Sequence, residues 1–539
     1  MGVRTFICVG LVAVYFYTGT LGLLVGMLVW FGASFALTRL RSARADAVEV
    51  DIVAEPLLGH SATELAAMVR RGEVTSVQLV ETFIKQIEKV NPKLNAMVAT
   101  RFEEAREEAR RADEITQQTA DKAALPPLHG VPCSVKEAME LTGMPQCSGL
   151  LSRRHRKSTK DATVVQRLRK AGAIPLGVTN VSEVCMWMES ANKVYGRSNN
   201  AYNTNHTVGG SSGGEGCIVS AAGAAFGVGS DIGGSIRMPC YFNGIFGHKP
   251  SAGLVPNTGQ YPIAVNQALR YMCTGPMCKR AEDLWPLLKI MAGPDGVDTY
   301  QQHLELGDPS QVDIKSLRIL WGDPCYMLTF SASEEIQRAQ RACVEHLGSL
   351  GAKDVQKIDM SEFKEGMDVW SSLMAAAGGP TFSELLGNGK PIRSSLELLK
   401  WIVDVGSEYT LPAIGLALLE ALPRLMPERA KRSVENGDVL KARLEELLGD
   451  DGVLILPTYP TTAPAHGMAI LPPTNWVNTA MWNVMEVPVT AVPLGLDSKG
   501  LPMGVQVIGK HGNDHVTIAV AMMLERRFGG WVPPRPRHS

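Results

Sequence analysis

The chain has 539 residues, room for one large domain or several ordinary ones, and a formal net charge of −1. That near-neutral balance, with no basic stripe, gives nucleic acid no footing. Ten cysteines are scattered without a Cys-x-x-Cys pair or a Cys/His ligand spacing, which argues against zinc and for free thiols in a reducing compartment.

In chain order, the first feature is an uncharged run of 34 residues from Thr5 to Thr38, rich in Leu, Val, Phe and Gly. About 20 apolar residues span a bilayer core. The run therefore predicts an N-terminal transmembrane helix, with residues 1–45 as a membrane anchor, and leaves room for tilt or a shallow hairpin. A cleaved signal peptide fits less well, because its apolar core is normally about 7–15 residues. Arg39, Arg41 and Arg44 follow the run, while Arg4 and the amino terminus precede it. The positive-inside rule thus leans, by one charge, towards a cytoplasmic side for the rest of the chain. Gly22-x-x-x-Gly26 matches a small-xxx-small helix-pairing motif, which allows a homodimer.

Residues 46–58 read as a linker, 59–532 as a single domain and 533–539 as a flexible tail. Ser61-x-x-Glu64 and Thr75-x-x-Gln78 are capping boxes, each followed by apolar residues at three- and four-residue spacing, so two amphipathic helices are expected. Arg101–Gln118 reads as a charged, solvent-facing helix. Beyond it, apolar runs alternate with helical stretches. Gly130–Val135, Ile174–Val178, Val453–Leu456, Val487–Val492 and Gly504–Ile508 are strand candidates, and Asp161–Ala173 a helix. This alternation predicts an α/β sheet covered by helices.

Two glycine-rich blocks carry the chemistry. Gly209-Gly210-Ser211-Ser212-Gly213-Gly214 precedes Ser230-Asp231-Ile232-Gly233-Gly234-Ser235-Ile236-Arg237, with Ser211 and Ser235 24 residues apart. Glycine lets backbone N–H groups approach a ligand and adopt positive φ without steric penalty. Several donors can then converge beside a hydroxyl, as a serine nucleophile with an oxyanion hole requires. A serine also needs a base, and neither block contains a histidine. Lys136 ends the largely apolar Gly130–Val135 run, and burial lowers a lysine's pKa by disfavouring the ammonium.

These blocks, together with Gly130-Val-Pro-Cys-Ser-Val-Lys136-Glu137, resemble the amidase signature family. Its motif pairs a Gly-Gly-Ser-Ser-Gly block with a later Asp-x-Gly-Gly-Ser-x-Arg block, downstream of a lysine. The similarity runs from about residue 60 to the C-terminus and includes Gly177–Glu183, Gly244–Pro250 and Gly500–Gln506. Within the family it points to the membrane-anchored vertebrate fatty-acid amide hydrolases. The resemblance implies the amidase-signature fold, a single mixed β-sheet wrapped by many α-helices. It also implies a Ser-Ser-Lys relay: neutral Lys136 takes a proton from Ser211, Ser211 deprotonates Ser235, and Ser235 attacks the amide carbonyl to give an acyl-enzyme. The N–H groups of Ile232, Gly233, Gly234 and Ser235 would hold the oxyanion. Asp231 would pair with Arg237 to shape the loop, and Ser212 would support the turn. Met186, Trp187 and Met188 would sit near the acyl chamber. The apolar segment Leu396–Met426, interrupted by Gly406 and Pro412, would be a hydrophobic cap or core.

The implied reaction is hydrolysis of long-chain fatty-acid amides, N-acylethanolamines and primary amides, to free acid plus amine or ammonia. It needs no cofactor and no metal. The expected partners are a lipid amide and a membrane, endomembrane or lipid droplet. An amidase of small or peptide amides is the alternative within the family. Gly209-x-Ser211-x-Gly213 also fits the nucleophile elbow of α/β-hydrolase lipases and esterases, with Asp514 and His515 or His511 completing a triad. That reading leaves Lys136 and Ser235 unexplained.

Overall fold

The computed structural model describes residues 47–403, 405–420, 426–470 and 474–536, so the expected anchor lies outside the described residues. Among the described residues no helix is long and apolar enough to cross a membrane. Both capping boxes form: Ser61 opens the helix Ala62–Arg71 and Thr75 opens Ser76–Leu94. Their apolar stripes bury Leu65, Val69, Val80, Phe83, Ile84 and Ile87. The charged helix is Phe102–Gln118, which buries only its alanine stripe, Ala105, Ala109 and Ala112.

The strands are β1 (Met97–Thr100), β2 (Pro132–Lys136), β3 (Ile174–Thr179), β4 (Ala191–Asn192), β5 (Gly196–Arg197), β6 (Phe226–Asp231) and β7 (Phe246–Lys249). They continue as β8 (Cys273–Cys278), β9 (Arg318–Trp321), β10 (Asp354–Lys357), β11 (Gly452–Pro457), β12 (Val489–Leu496) and β13 (Pro502–Gly509). β4 and β5 pair with each other. The other 11 form one mixed sheet in the order β1-β3-β2-β6-β8-β7-β12-β13-β11-β9-β10. β2 runs parallel to both β3 and β6, with Lys136 opposite Thr179 and Val135 opposite Val228. Lys136 and Asp231 therefore close two neighbouring parallel strands at the same edge, outside which α/β sheets hold their ligands.

Two strands start later than expected, β2 at Pro132 rather than Gly130 and a second near the C-terminus. The run beginning at Val487 enters the sheet only at Val489, because Pro488 has no N–H for a ladder. In the stretch read as a linker, Val48 and Val50 are buried in the main core, and the Val48 N–H donates to Ala201 O. The Val50 N–H donates to Pro534 O, so the start of the described chain pairs with the segment expected as a flexible tail.

Residues 380–420 form a separate compact unit within the stretch expected as one domain. Its helices are Phe382–Leu386, Ser394–Ile402 and Leu411–Leu419. Ile414 and Ala417 are buried, whereas Leu396, Leu399, Val405, Leu418 and Leu419 are exposed. The segment expected as cap or core is therefore mixed: apolar on both its buried and its exposed faces.

Phe83 is fully buried in the main core. Phe83→Ala should cost about 3–5 kcal/mol, read as a lower denaturant midpoint at unchanged slope.

Candidate active site

The site assembles where the two glycine blocks meet the end of β2. The Gly-Gly-Ser-Ser turn leads into the helix Gly213–Ser220, while Asp231 to Ile236 links β6 to Arg237–Phe242. The Ser212 N–H donates to Ser235 O at 3.2 Å, and Ser212 Oγ to Ser230 O at 3.3 Å, which ties one block to the other. Gly210 packs against the Trp187 carbonyl, where an added Cβ would lie 2.2 Å away. Only glycine fits there.

Lys136 is fully buried, with Nζ 2.7 Å from Ser211 Oγ, 3.0 Å from Ser230 Oγ and 3.4 Å from Ser230 O. All three neighbours are uncharged oxygens. A neutral amine has two N–H groups for Ser230 and one lone pair for the Ser211 proton. Burial pushes the Lys136 pKa below the ordinary lysine value, against smaller opposing pulls from Cys185, Asp231 and Glu215. Ser235 keeps 8% exposure against 1% for Ser211, so of the two hydroxyls it is the more open to a ligand.

Glu215 lies on the same sheet face. Ser134, two residues before Lys136 on β2, donates to Glu215 Oε2 at 2.5 Å, and Thr179, opposite Lys136 on β3, donates to Oε1 at 2.9 Å. Burial raises the Glu215 carboxyl to about 8, outweighing those two hydrogen bonds and the pull of Lys136. That shift favours the neutral acid and so weakens the pull of Glu215 on the lysine.

Charge is concentrated behind the second block. Asp231 and Arg237 are both fully buried and bidentate, Nη2 to Oδ1 at 2.8 Å and Nε to Oδ2 at 3.0 Å. Arg237 also donates to Thr479 O at 2.7 Å and Asn483 Oδ1 at 2.6 Å. Burial pushes the Asp231 carboxyl up, but Arg237 outweighs it and holds the group well below the usual carboxylate range.

The same carboxylate corrects one expected donor. The Gly234 N–H donates to Asp231 Oδ1 at 2.7 Å and so is not aimed at an oxyanion. Gly234 has φ +118°, and an added Cβ would collide with Thr479 Oγ1. Among the described residues no acceptor takes the N–H groups of Ile232, Gly233 or Ser235.

Met186 packs with Ile232 in one apolar cluster, while Trp187 and Met188 belong to another with Met238 and Tyr241. The partners of the elbow reading are engaged elsewhere. Asp514 accepts from Ser251 and pairs with His248, and His511 contacts Glu486 O and Gln302. His515 lies against Gly307. The groups beside the Ser211 hydroxyl are Lys136 and the Cys185 thiol. Reading by motif missed Ser230, which opens the second quoted block, and Glu215, one residue past the first, and missed Trp370, Thr479 and Asn483, which nothing nearby in sequence marks.

The family model described as Amidase matches residues 78–518. Human fatty-acid amide hydrolase 2 is 46% identical over 494 residues, covering 89% of this chain and 91% of its own length. Zebrafish (Danio rerio) fatty-acid amide hydrolase 2-A is 45% identical over 495 residues, covering 89% and 91%. A solved structure titled fatty acid amide hydrolase superposes with a TM-score of 0.71 at 23% identity, over 89% of this chain and 86% of its own. That last likeness shows the fold. The chain belongs to the amidase family, that of the amidase signature, and is a hydrolase acting on amides.

Asp231→Ala would leave Arg237 buried and unpaired, at a cost of about 3–5 kcal/mol in urea unfolding. Asp450→Ala, which breaks the exposed 2.6 Å pair with Lys510, should cost about 0–1 kcal/mol. Because the folded-state Asp231 pKa is depressed, its contribution is complete above the unfolded carboxylate pKa and is lost as pH falls below it.

Proposed function

We propose that this chain hydrolyses long-chain fatty-acid amides through a Ser-Ser-Lys relay with Ser235 as nucleophile. The observation that carries the relay is the fully buried Lys136 amine, 2.7 Å from Ser211 Oγ among uncharged oxygens. Neutral Lys136 takes the Ser211 proton as Ser211 takes that of Ser235. Ser235 Oγ bonds to the amide carbon, and the carbonyl π electrons move onto oxygen, held by the N–H groups of Ile232, Gly233 and Ser235. Each such donor is worth about 3–4 kcal/mol in the transition state. The relay then runs backwards to protonate the departing nitrogen, the C–N bond breaks, and water releases the acid by the same path.

The fatty-acyl reading is supported by the identity to the two fatty-acid amide hydrolases. The backbone of Trp187 and Met188 packs on Gly210 of the glycine turn, and the methionine-rich run Met186–Met188 suits a flexible acyl chain. The exposed leucines of residues 380–420 suit a face that meets lipid. We also read residues 1–45 as a membrane anchor, on the strength of the 34 uncharged positions, and its flanking arginines favour the cytoplasmic side.

A fluorophosphonate should label Ser235, as mapped by mass spectrometry, and label on Ser211 would overturn the assignment. Lys136→Ala should lower kcat/KM by about 10²–10⁴-fold. In the wild type kcat/KM should climb with pH as Lys136 loses its proton, with a midpoint below the ordinary lysine value, and the variant should lose that limb. Across primary amides of increasing acyl length kcat/KM should rise into the long-chain range, whereas a preference for acetamide or a peptide amide would favour a small-amide enzyme.

A further inference from the structure

The oxyanion loop is set by what grips its carbonyls. In a trans peptide the C=O of one residue and the N–H of the next point in opposite directions. Asp231 O accepts from Asn483 Nδ2 at 2.9 Å, and Ile232 O from Trp370 Nε1 at 3.1 Å. Gly233 O accepts from Thr479 Oγ1 at 2.9 Å, and Gly234 O from the Met238 N–H at 2.8 Å. By that rule the grips on Asp231 O, Ile232 O and Gly234 O turn the N–H groups of Ile232, Gly233 and Ser235 away from the gripping residues, while the grip on Gly233 O accompanies a Gly234 N–H turned to Asp231 Oδ1.

Only one of these grips is an indole. Trp370 comes from the helix Gly366–Ala376, is buried, and stacks edge-on against Trp476 with ring centroids 4.6 Å apart. Both rings close over Gly233, where an added Cβ would lie 3.4 Å from Trp476 and 3.7 Å from Trp370. The indole is thus fixed by packing on one side and by its single donor on the other.

We propose that Trp370 is a positioning residue for hydrolysis: by holding the Ile232 carbonyl, its ring N–H aims the Gly233 N–H at the oxyanion. This rests on the reading of Ser235 as nucleophile. Trp370 touches no reacting atom and acts through the peptide between Ile232 and Gly233. A tryptophan that served packing alone would still want an acceptor for its N–H, so stability measurements do not separate the two roles. A transition-state readout does.

The test is Trp370→Phe, which keeps an aromatic ring and removes the donor. Beside it stands the full chain with benzothienylalanine at position 370, isosteric with tryptophan but carrying sulfur in place of the N–H. In both, kcat for a primary long-chain amide should fall roughly tenfold, less than the loss of a whole oxyanion donor, with KM unchanged. Affinity for a long-chain trifluoromethyl ketone, which forms an oxyanion on the nucleophile, should weaken by the same factor, and affinity for the free fatty acid should stay constant. Unchanged kcat and ketone affinity in the benzothienylalanine protein would overturn the proposal. So would equal weakening of ketone and fatty acid, which marks a general loosening of the site. A wild-type enzyme that forms no ketone adduct at Ser235 would instead sink the underlying reading, and this one with it.

Discussion

A lysine held without a counter-ion in a fully buried position is the constraint around which this site is arranged. Desolvation disfavours the ammonium, and the amine stays a usable base only if no neighbour restores its charge. The surroundings of Lys136 meet that condition on each side. Its hydrogen-bond partners are the oxygens of Ser211 and Ser230. The acid on its own sheet face, Glu215, is satisfied by two hydroxyls and raised to about 8. The strand register brings this about, since it places Ser134 and Thr179 where they can occupy Glu215.

The ionic part of the site is segregated behind the second glycine block. Asp231 spends its charge on Arg237 and on the Gly234 and Ile236 N–H groups, and Arg237 spends the remainder on Thr479 and Asn483. A buried pair of this kind adds little net stability over an apolar substitute, but it fixes geometry because breaking it is so unfavourable. Here the geometry is that of the loop before Ser235. One end of the site is therefore uncharged, as the proposed relay requires of its base, and the other is paired so that a loop cannot move.

Much of this was legible in the sequence because the signals are local. Ser61 with Glu64 and Thr75 with Gln78 mark helix starts within four residues, and the glycine blocks mark close backbone approach. Lys136, Ser211 and Ser235 stand in blocks whose spacing can be recognised. What was not legible is what depends on direction or distance along the chain. A motif states that Gly234 lies in the loop, not that its N–H turns back to Asp231. Glu215 directly follows the first block, yet its raised pKa follows from burial in the fold, which its hydrogen bonds from Ser134 and Thr179 on two other elements only partly offset. Trp370, Thr479 and Asn483 lie more than a hundred residues beyond Ser235 and reach the loop only through the tertiary fold. The Val487 strand was placed too early because apolarity outweighed the missing N–H of Pro488.

The carbonyl grips also bear on how the enzyme is made. Every group of the proposed relay is encoded before residue 240, but three of the four holders of the oxyanion loop come from the helices Gly366–Ala376 and Val477–Val484. A chain emerging from the ribosome thus displays Lys136 and both serines of that proposed relay long before the loop beside them can be locked. On that reading activity should appear no earlier than Asn483, and the interior strands β12 and β13, made later still, keep an unfinished hydrolase silent while it is being translated.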